Sequence, residues 1–225
     1  MPKTIDKAAA LTRGSVSHRP VAFAAITTAV SGFLDAIGYA ELSHLYVSFM
    51  SGNSTHLGMA LAKGQWPDGL AAFTIVLIFI AGASIGTWVA DRSPQRALLV
   101  IIGYEIILVT AAIGLADAGR PRASMTVIAF MMGMQNTVHQ IVRGTDLGRG
   151  FLSGTLFSFG QAVARMAGDR MERQRALDTA TSWLAFIAGV VAGTLALADI
   201  GLVPSLGMVL IILAASMLTI RKGLL

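Results

Sequence analysis

Apolar residues gather in long uninterrupted runs rather than in the alternation of strands or the one-sided stripe of a soluble helix. A hydrocarbon core about 30 Å thick takes roughly 20 residues of helix. Five stretches meet that length plainly: Val21 to Glu41, Gly69 to Ala90, Ala97 to Ala116, Ala123 to Val142 and Ala176 to Ala198. Val203 to Ile220 is a sixth, slightly short. Leu42 to Lys63 and Phe151 to Arg165 are moderately apolar but carry Ser, Gly, Thr, Asn or His near their starts. They are full spans, giving eight, or half-helices that enter and leave on one side, giving six. The pattern predicts an all-α, polytopic helical membrane protein. About six transmembrane helices with two polar broken or re-entrant segments is the favoured form, because backbone polar groups in lipid need internal partners.

Composition agrees. Hydrophobic residues are 55% of the chain and charged residues 13%, about half the charge of a soluble domain. The mean hydropathy is +0.70. A soluble globule of 225 residues could not bury that much apolar surface. With no cysteine, neither thiol catalysis nor a cysteine zinc site is open to it. The net charge of +5 reads as membrane orientation, not as affinity for nucleic acid. Six spans put 14 Lys and Arg on the cytoplasmic side and 3 outside; eight spans give 13 against 4. Either way both termini lie in the cytoplasm, and the expected location is the inner (cytoplasmic) membrane. Residues 1–20 read as a basic cytoplasmic segment ahead of a retained first span, and 21–222 as one membrane domain.

The chain also resembles itself. FIAGASIGT (79–87) and FIAGVVAGT (186–194) match at six of nine positions with an offset of 107. FMSGN (49–53) and FLSGT (151–155) are offset by 102, GFLD (32–35) and GMQN (133–136) by 101. Three matches in one order imply a two-fold internal repeat, about 21–118 and 122–222. An odd number of crossings per half inverts the second half; an even number gives a parallel repeat.

Asp35 and Glu105 fall inside predicted spans, where a carboxylate is costly unless it faces protein or water. Asp35 is answered by Asn136 in the repeat and is a candidate for proton coupling or cation binding. Nothing in the second half answers Glu105, which is secondary. Ser51, Gly52 and Asn53, echoed by Ser153, Gly154 and Thr155, suit two half-helix N-termini offering free N–H groups to a ligand. They equally suit two caps at a water interface. Gln135 and Asn136, with His139 and Gln140, lie along the fourth span, where hydrogen bonding between helices is an adequate role. Gly82 and Gly86, and again Gly189 and Gly193, form GxxxG and are read as packing positions, between the halves or between subunits of a homo-oligomer. No His pair has metal-ligand spacing, so neither metal nor cofactor is expected.

The segments SGFLDAIGY (31–39), FMSGNSTHLG (49–58), GMQNTVHQ (133–140) and FLSGTL (151–156) resemble the YoaK family of bacterial membrane proteins, a family of unknown function. Ser51 and Ser153 stand where that family commonly has Thr, which keeps the hydroxyl. The resemblance implies a membrane setting and two halves, with no established substrate. The residues themselves favour a small secondary transporter or channel, not an enzyme, for an unidentified polar solute bound at the repeat interface. A non-transporting scaffold or assembly protein is the alternative.

Six spans make a topological prediction that a cysteine-free chain is well suited to test. A cysteine near Ser93 should react with an impermeant maleimide from the cytoplasm, and one near Ala118 from outside. The reverse at both positions would mean eight spans and a parallel repeat.

Overall fold

A computed structural model describes residues 18–143 and 152–222. The basic segment lies almost wholly outside the described residues, as do the side chains of His139 and Gln140. Among the described residues eight helices follow one another: α1 (His18–Glu41), α2 (Met50–Ala62), α3 (Trp66–Arg92), α4 (Ala97–Asp117), α5 (Pro121–Arg143), α6 (Leu152–Arg165), α7 (Arg170–Ile200) and α8 (Leu202–Arg221). No strand occurs among the described residues. Five helices, α1, α3, α4, α7 and α8, are long and apolar enough to cross a membrane. At 1.5 Å per residue the 23-residue α5 is about 35 Å long, ample for a crossing, although it is more polar. It is packed against α1, α3 and α4, and Met125, Ile128, Met131 and Met132 along it are fully buried. The two segments of doubtful span form short helices. With 13 and 14 residues, α2 and α6 reach only about 20 Å.

Packing fixes the direction of each helix. Phe23, near the start of α1, clusters with Val89 and Ala90 at the end of α3, with Leu98, Val100, Ile101 and Ile102 at the start of α4, and with Met217 and Ile220 at the end of α8. These four termini share one end of the bundle, the basal end. α1 leaves it and α3 returns to it, so the chain between Glu41 and Trp66 starts and finishes at the far end. α2 does not traverse. α7 runs alongside α1 in the same direction, Gly189 on Ala29 and Gly193 on Phe33. α5 comes back from the far end, so α6 lies between two helix ends at the basal side.

The same contacts occur twice. Gly82 of α3 abuts the backbone carbonyl of Phe130 on α5, and Gly189 of α7 abuts that of Ala29 on α1. Gly133 of α5 meets the carbonyl of Phe79, and Gly32 of α1 meets that of Phe186. These pairs are related by the offsets of 101 and 107 found in the sequence. Each first helix thus packs on the third helix of the opposite half. The glycines explain why: with no Cβ, backbones meet directly, which is how helices associate where lipid removes the hydrophobic drive.

The fourth helices correspond as well. Ile101, Ile102, Glu105 and Val109 form the buried face of α4; Ser205, Leu206, Val209 and Leu213, each 104 residues on, form that of α8. Their surroundings differ. α4 packs along the length of α5, whereas α8 touches α1 only sparsely. The three-residue link between Asp117 and Pro121 ties α4 to α5, and nothing similar joins α8 to α1.

Close approach at the glycines has a direct test. Gly82→Val and Gly189→Val should each lower stability by about 1–3 kcal/mol through overpacking, read as a lower melting temperature in detergent. Gly103→Ala and Gly207→Ala, where a Cβ meets nothing within 4 Å, should be neutral or stabilising. Equal effects at all four positions would contradict the packing.

Candidate functional site

Asp35 does not face a free cavity. Its Oδ1 accepts from the backbone N–H of Val47 at 3.0 Å and of Ser48 at 2.7 Å, and its Oδ2 accepts from Ser48 Oγ at 2.6 Å. Three donors meet one carboxylate that is 2% exposed. The loop that supplies them turns back along α1 after Glu41. Ser43 and His44 adopt left-handed backbone (φ 55° and 72°) to make that turn. Gly38 leaves room for Val47, whose Cγ1 would stand 2.8 Å from a Cβ there. A carboxylate accepting several N–H groups is a strong local tether, and here it holds the start of α2 beside the interior of α1.

Asn53 completes the tether. Its Oδ1 accepts from Tyr46 N–H at 2.9 Å and its Nδ2 donates to Tyr46 C=O at 2.7 Å. Tyr39 and Tyr46 meet at a tilt with ring centroids 5.1 Å apart, and Tyr46 and Phe49 meet edge to face at 5.3 Å. Gly52 lies under the ring of Phe49, where a Cβ would not fit. Ser51 is exposed. The N–H groups of Gly52 and Asn53 are turned to the carbonyl of Phe49. These N–H groups at the start of α2 are used within the loop.

In the second half, Ser153 is exposed and Gly154 and Thr155 are half-buried at the start of α6. α6 packs on α7 as α2 packs on α3, and the two short helices are reached from opposite ends of the bundle. Asn136 donates to the carbonyl of Met132 in its own helix at 3.0 Å. The bonds of Asp35 and Asn136 run in different directions, one to a loop and the other along α5.

A different set of polar groups meets at the crossing of the helices. Glu105 on α4 is 1% exposed and Gln135 on α5 is also 1% exposed. The Gln135 side chain is the polar neighbour of the Glu105 carboxyl, yet Glu105 Oε1 and Gln135 Nε2 each lack a well-formed hydrogen bond. Gln135 Oε1 accepts from Ser31 Oγ of α1 at 3.3 Å. No ion pair reaches Glu105 among the described residues. Both residues are candidates by sequence, but their pairing is not visible in the matched segments, because Glu105 corresponds to Val209 and Gln135 to Leu34. The pairing arises only where α4 is laid against α5. Gly82, Gly86, Gly189 and Gly193 take no part in either cluster and serve helix contact, as their spacing implied.

If the loop hangs on Asp35 and Asn53, removing either should loosen it. Asp35→Ala leaves the N–H groups of Val47 and Ser48 without an acceptor, at about 1–3 kcal/mol each. Asn53→Ala should cost a comparable amount at Tyr46, and Ser51→Ala nothing measurable. Thermal melting in detergent reads all three. An Asp35→Ala variant that melts with wild type would mean that the carboxylate does not hold the loop.

A family model described as "Protein of unknown function (DUF1275)" matches residues 23–219. The UPF0700 transmembrane protein RA0705 of Rhizobium meliloti (strain 1021) is 28% identical over 200 residues, 87% of this chain and 85% of that protein. The UPF0700 transmembrane protein YoaK of Bacillus subtilis (strain 168) is 26% identical over 165 residues, 70% of this chain and 73% of its own. No solved structure matches.

Proposed function

The chain belongs to the DUF1275 family of transmembrane proteins, and from that premise we propose that it is a small secondary transporter or channel for a polar solute, with its site where α1, α4 and α5 meet. The observation that carries the reading is the Glu105–Gln135 pair: two fully buried polar side chains beside each other, with Glu105 Oε1 and Gln135 Nε2 lacking well-formed hydrogen bonds and no ion pair at the carboxyl among the described residues. A buried polar atom left unpaired costs about 1–3 kcal/mol, and ionisable groups inside membrane bundles concentrate on solute and proton routes. Glu105 Oε1 would accept from a solute, Gln135 Nε2 would donate to it, and Ser31 fixes the amide through Oε1. The function requires no covalent chemistry of the chain.

The arrangement proposed has six crossings, α1, α3, α4, α5, α7 and α8, with α2 and α6 re-entrant from opposite faces. Three crossings per half make the repeat inverted, the arrangement that places solute sites near the midplane between halves. The basal end would be cytoplasmic, carrying 14 of the 17 Lys and Arg in that arrangement. Both termini would then be cytoplasmic, with the protein in the inner membrane.

Asp35, Asn53 and their loop favour a second reading, a non-transporting scaffold, since their hydrogen bonds are spent on the chain itself. The two readings part at the polar pair. Glu105→Val with Gln135→Leu writes into α4 and α5 the residues that α8 and α1 already carry. Replacing both partners by apolar groups is close to neutral for stability, so the double variant should fold as well as wild type. In proteoliposomes on a solid-supported membrane, challenged with amino acids, organic acids, sugars and monovalent cations, wild type should give a current or flux for one class. The double variant and Glu105→Gln should reduce it at least tenfold. A wild-type flux that survives both substitutions would remove the site, and no flux from any class would favour the scaffold.

A further inference from the structure

α8 stands off from α1 where α4 closes on α5, and the separation leaves a groove of about 690 Å³ between α1, α7 and α8. Its walls are apolar and include Phe23, Ile26, Phe33, Met208 and Ile212, with Thr219 at one end. Ile26 and Met208 are 46% and 43% exposed, so the groove opens to the outside of the bundle. The rest of the fold does not force it open, because the corresponding seam in the other half is shut.

The dimensions and the charge at its mouth indicate an occupant. Along α1 the lining runs from Ala22 to Phe33, and along α8 from Met208 to Thr219. At 1.5 Å per residue each is about 16 Å, the hydrocarbon depth of one leaflet of a 30 Å core. The groove occupies the basal half, since Phe23 belongs to the cluster at that end. Lys222 follows Thr219 by three residues, one turn further toward the basal end on the groove's side of α8. Arg221 precedes it, and both are exposed. Cationic residues just beyond an apolar slot of leaflet depth stand at headgroup level.

We propose that the α1–α7–α8 groove binds one anionic glycerophospholipid from the basal leaflet, its acyl chain along Phe33 to Phe23 and its phosphate at Lys222 and Arg221. A lipid there fills the gap that α4 fills in the other half and sets the distance of α8 from α1. The inference needs only that the chain spans the membrane; it does not depend on transport.

Delipidated full-length protein in detergent, titrated with dioleoyl phosphatidylglycerol or dioleoyl phosphatidylcholine, can be read by native mass spectrometry. Wild type should retain one phosphatidylglycerol per chain with at least fivefold preference over phosphatidylcholine. Ala192→Phe and Ala215→Phe fill the groove from facing walls (both positions line it) and should each lose that lipid. Arg221→Gln with Lys222→Gln should keep a lipid and lose the preference. A wild type without a retained lipid, a retained lipid in both filled variants, or a lipid-free dimer joined through this face would each overturn the proposal. Should a filled variant fail to fold, a phosphatidylglycerol with a photoreactive acyl chain decides on wild type alone. Labelling centred on residues 22–33 and 208–219 supports the site, and labelling spread evenly over the outer faces of α3 and α7 overturns it.

Discussion

Contact between backbones at glycine holds this bundle together. Lipid tails are as apolar as Leu, so helices inside a bilayer gain little by hiding side chains from them. What remains is dispersion and complementary shape, and both are greatest where no Cβ intervenes. Gly82 and Gly133 bring α3 and α5 together, and Gly32, Gly189 and Gly193 do the same for α1 and α7. Both pairs join a helix of one half to a helix of the other. The halves are therefore interleaved, and neither has a complete set of partners alone.

The second constraint is the accounting of backbone hydrogen bonds. A segment that turns back between two helices leaves several N–H groups outside any helix, and an apolar setting offers them no acceptor. Asp35 and Asn53 supply acceptors for Val47, Ser48 and Tyr46. A carboxylate in α1 looks like a coupling residue when only its depth is known. Its three donors make its first task structural, whereas Glu105 has no such set of donors and its Oε1 lacks a well-formed hydrogen bond.

The two halves differ most at the seam of the fourth helix. α4 is tied to α5 by three residues and carries Glu105 into the interior, facing Gln135. α8 has no such tie, carries Val209 at the matching position, and leaves a groove instead. The matched glycine contacts give the two halves similar frames. Only one of them is polar at this seam, and the different connectivity leaves the other apolar and open.

The helical membrane class and the positions of the helices were legible in the amino-acid pattern. The runs from Val21, Gly69, Ala97, Ala123, Ala176 and Val203 became long helices, and the SGN and SGT segments became short ones, because periodic apolarity and breaks in it are local properties. The offsets of 101 and 107 reappeared as paired glycine contacts, since equal surfaces pack equally. Membership of the family was legible too, in SGFLDAIGY and GMQNTVHQ. Which acceptor serves which donor was not legible. Asp35 meets a loop twelve residues on, and Ser31 meets Gln135 at a separation of 104; both depend on how helices cross. The Glu105–Gln135 pair was hidden for a further reason, that the repeat equates those positions with Val209 and Leu34. That α4 lies against α5 while α8 stands away from α1 emerges only from the packing of the helices, because a three-residue covalent link joins the first pair and none joins the second.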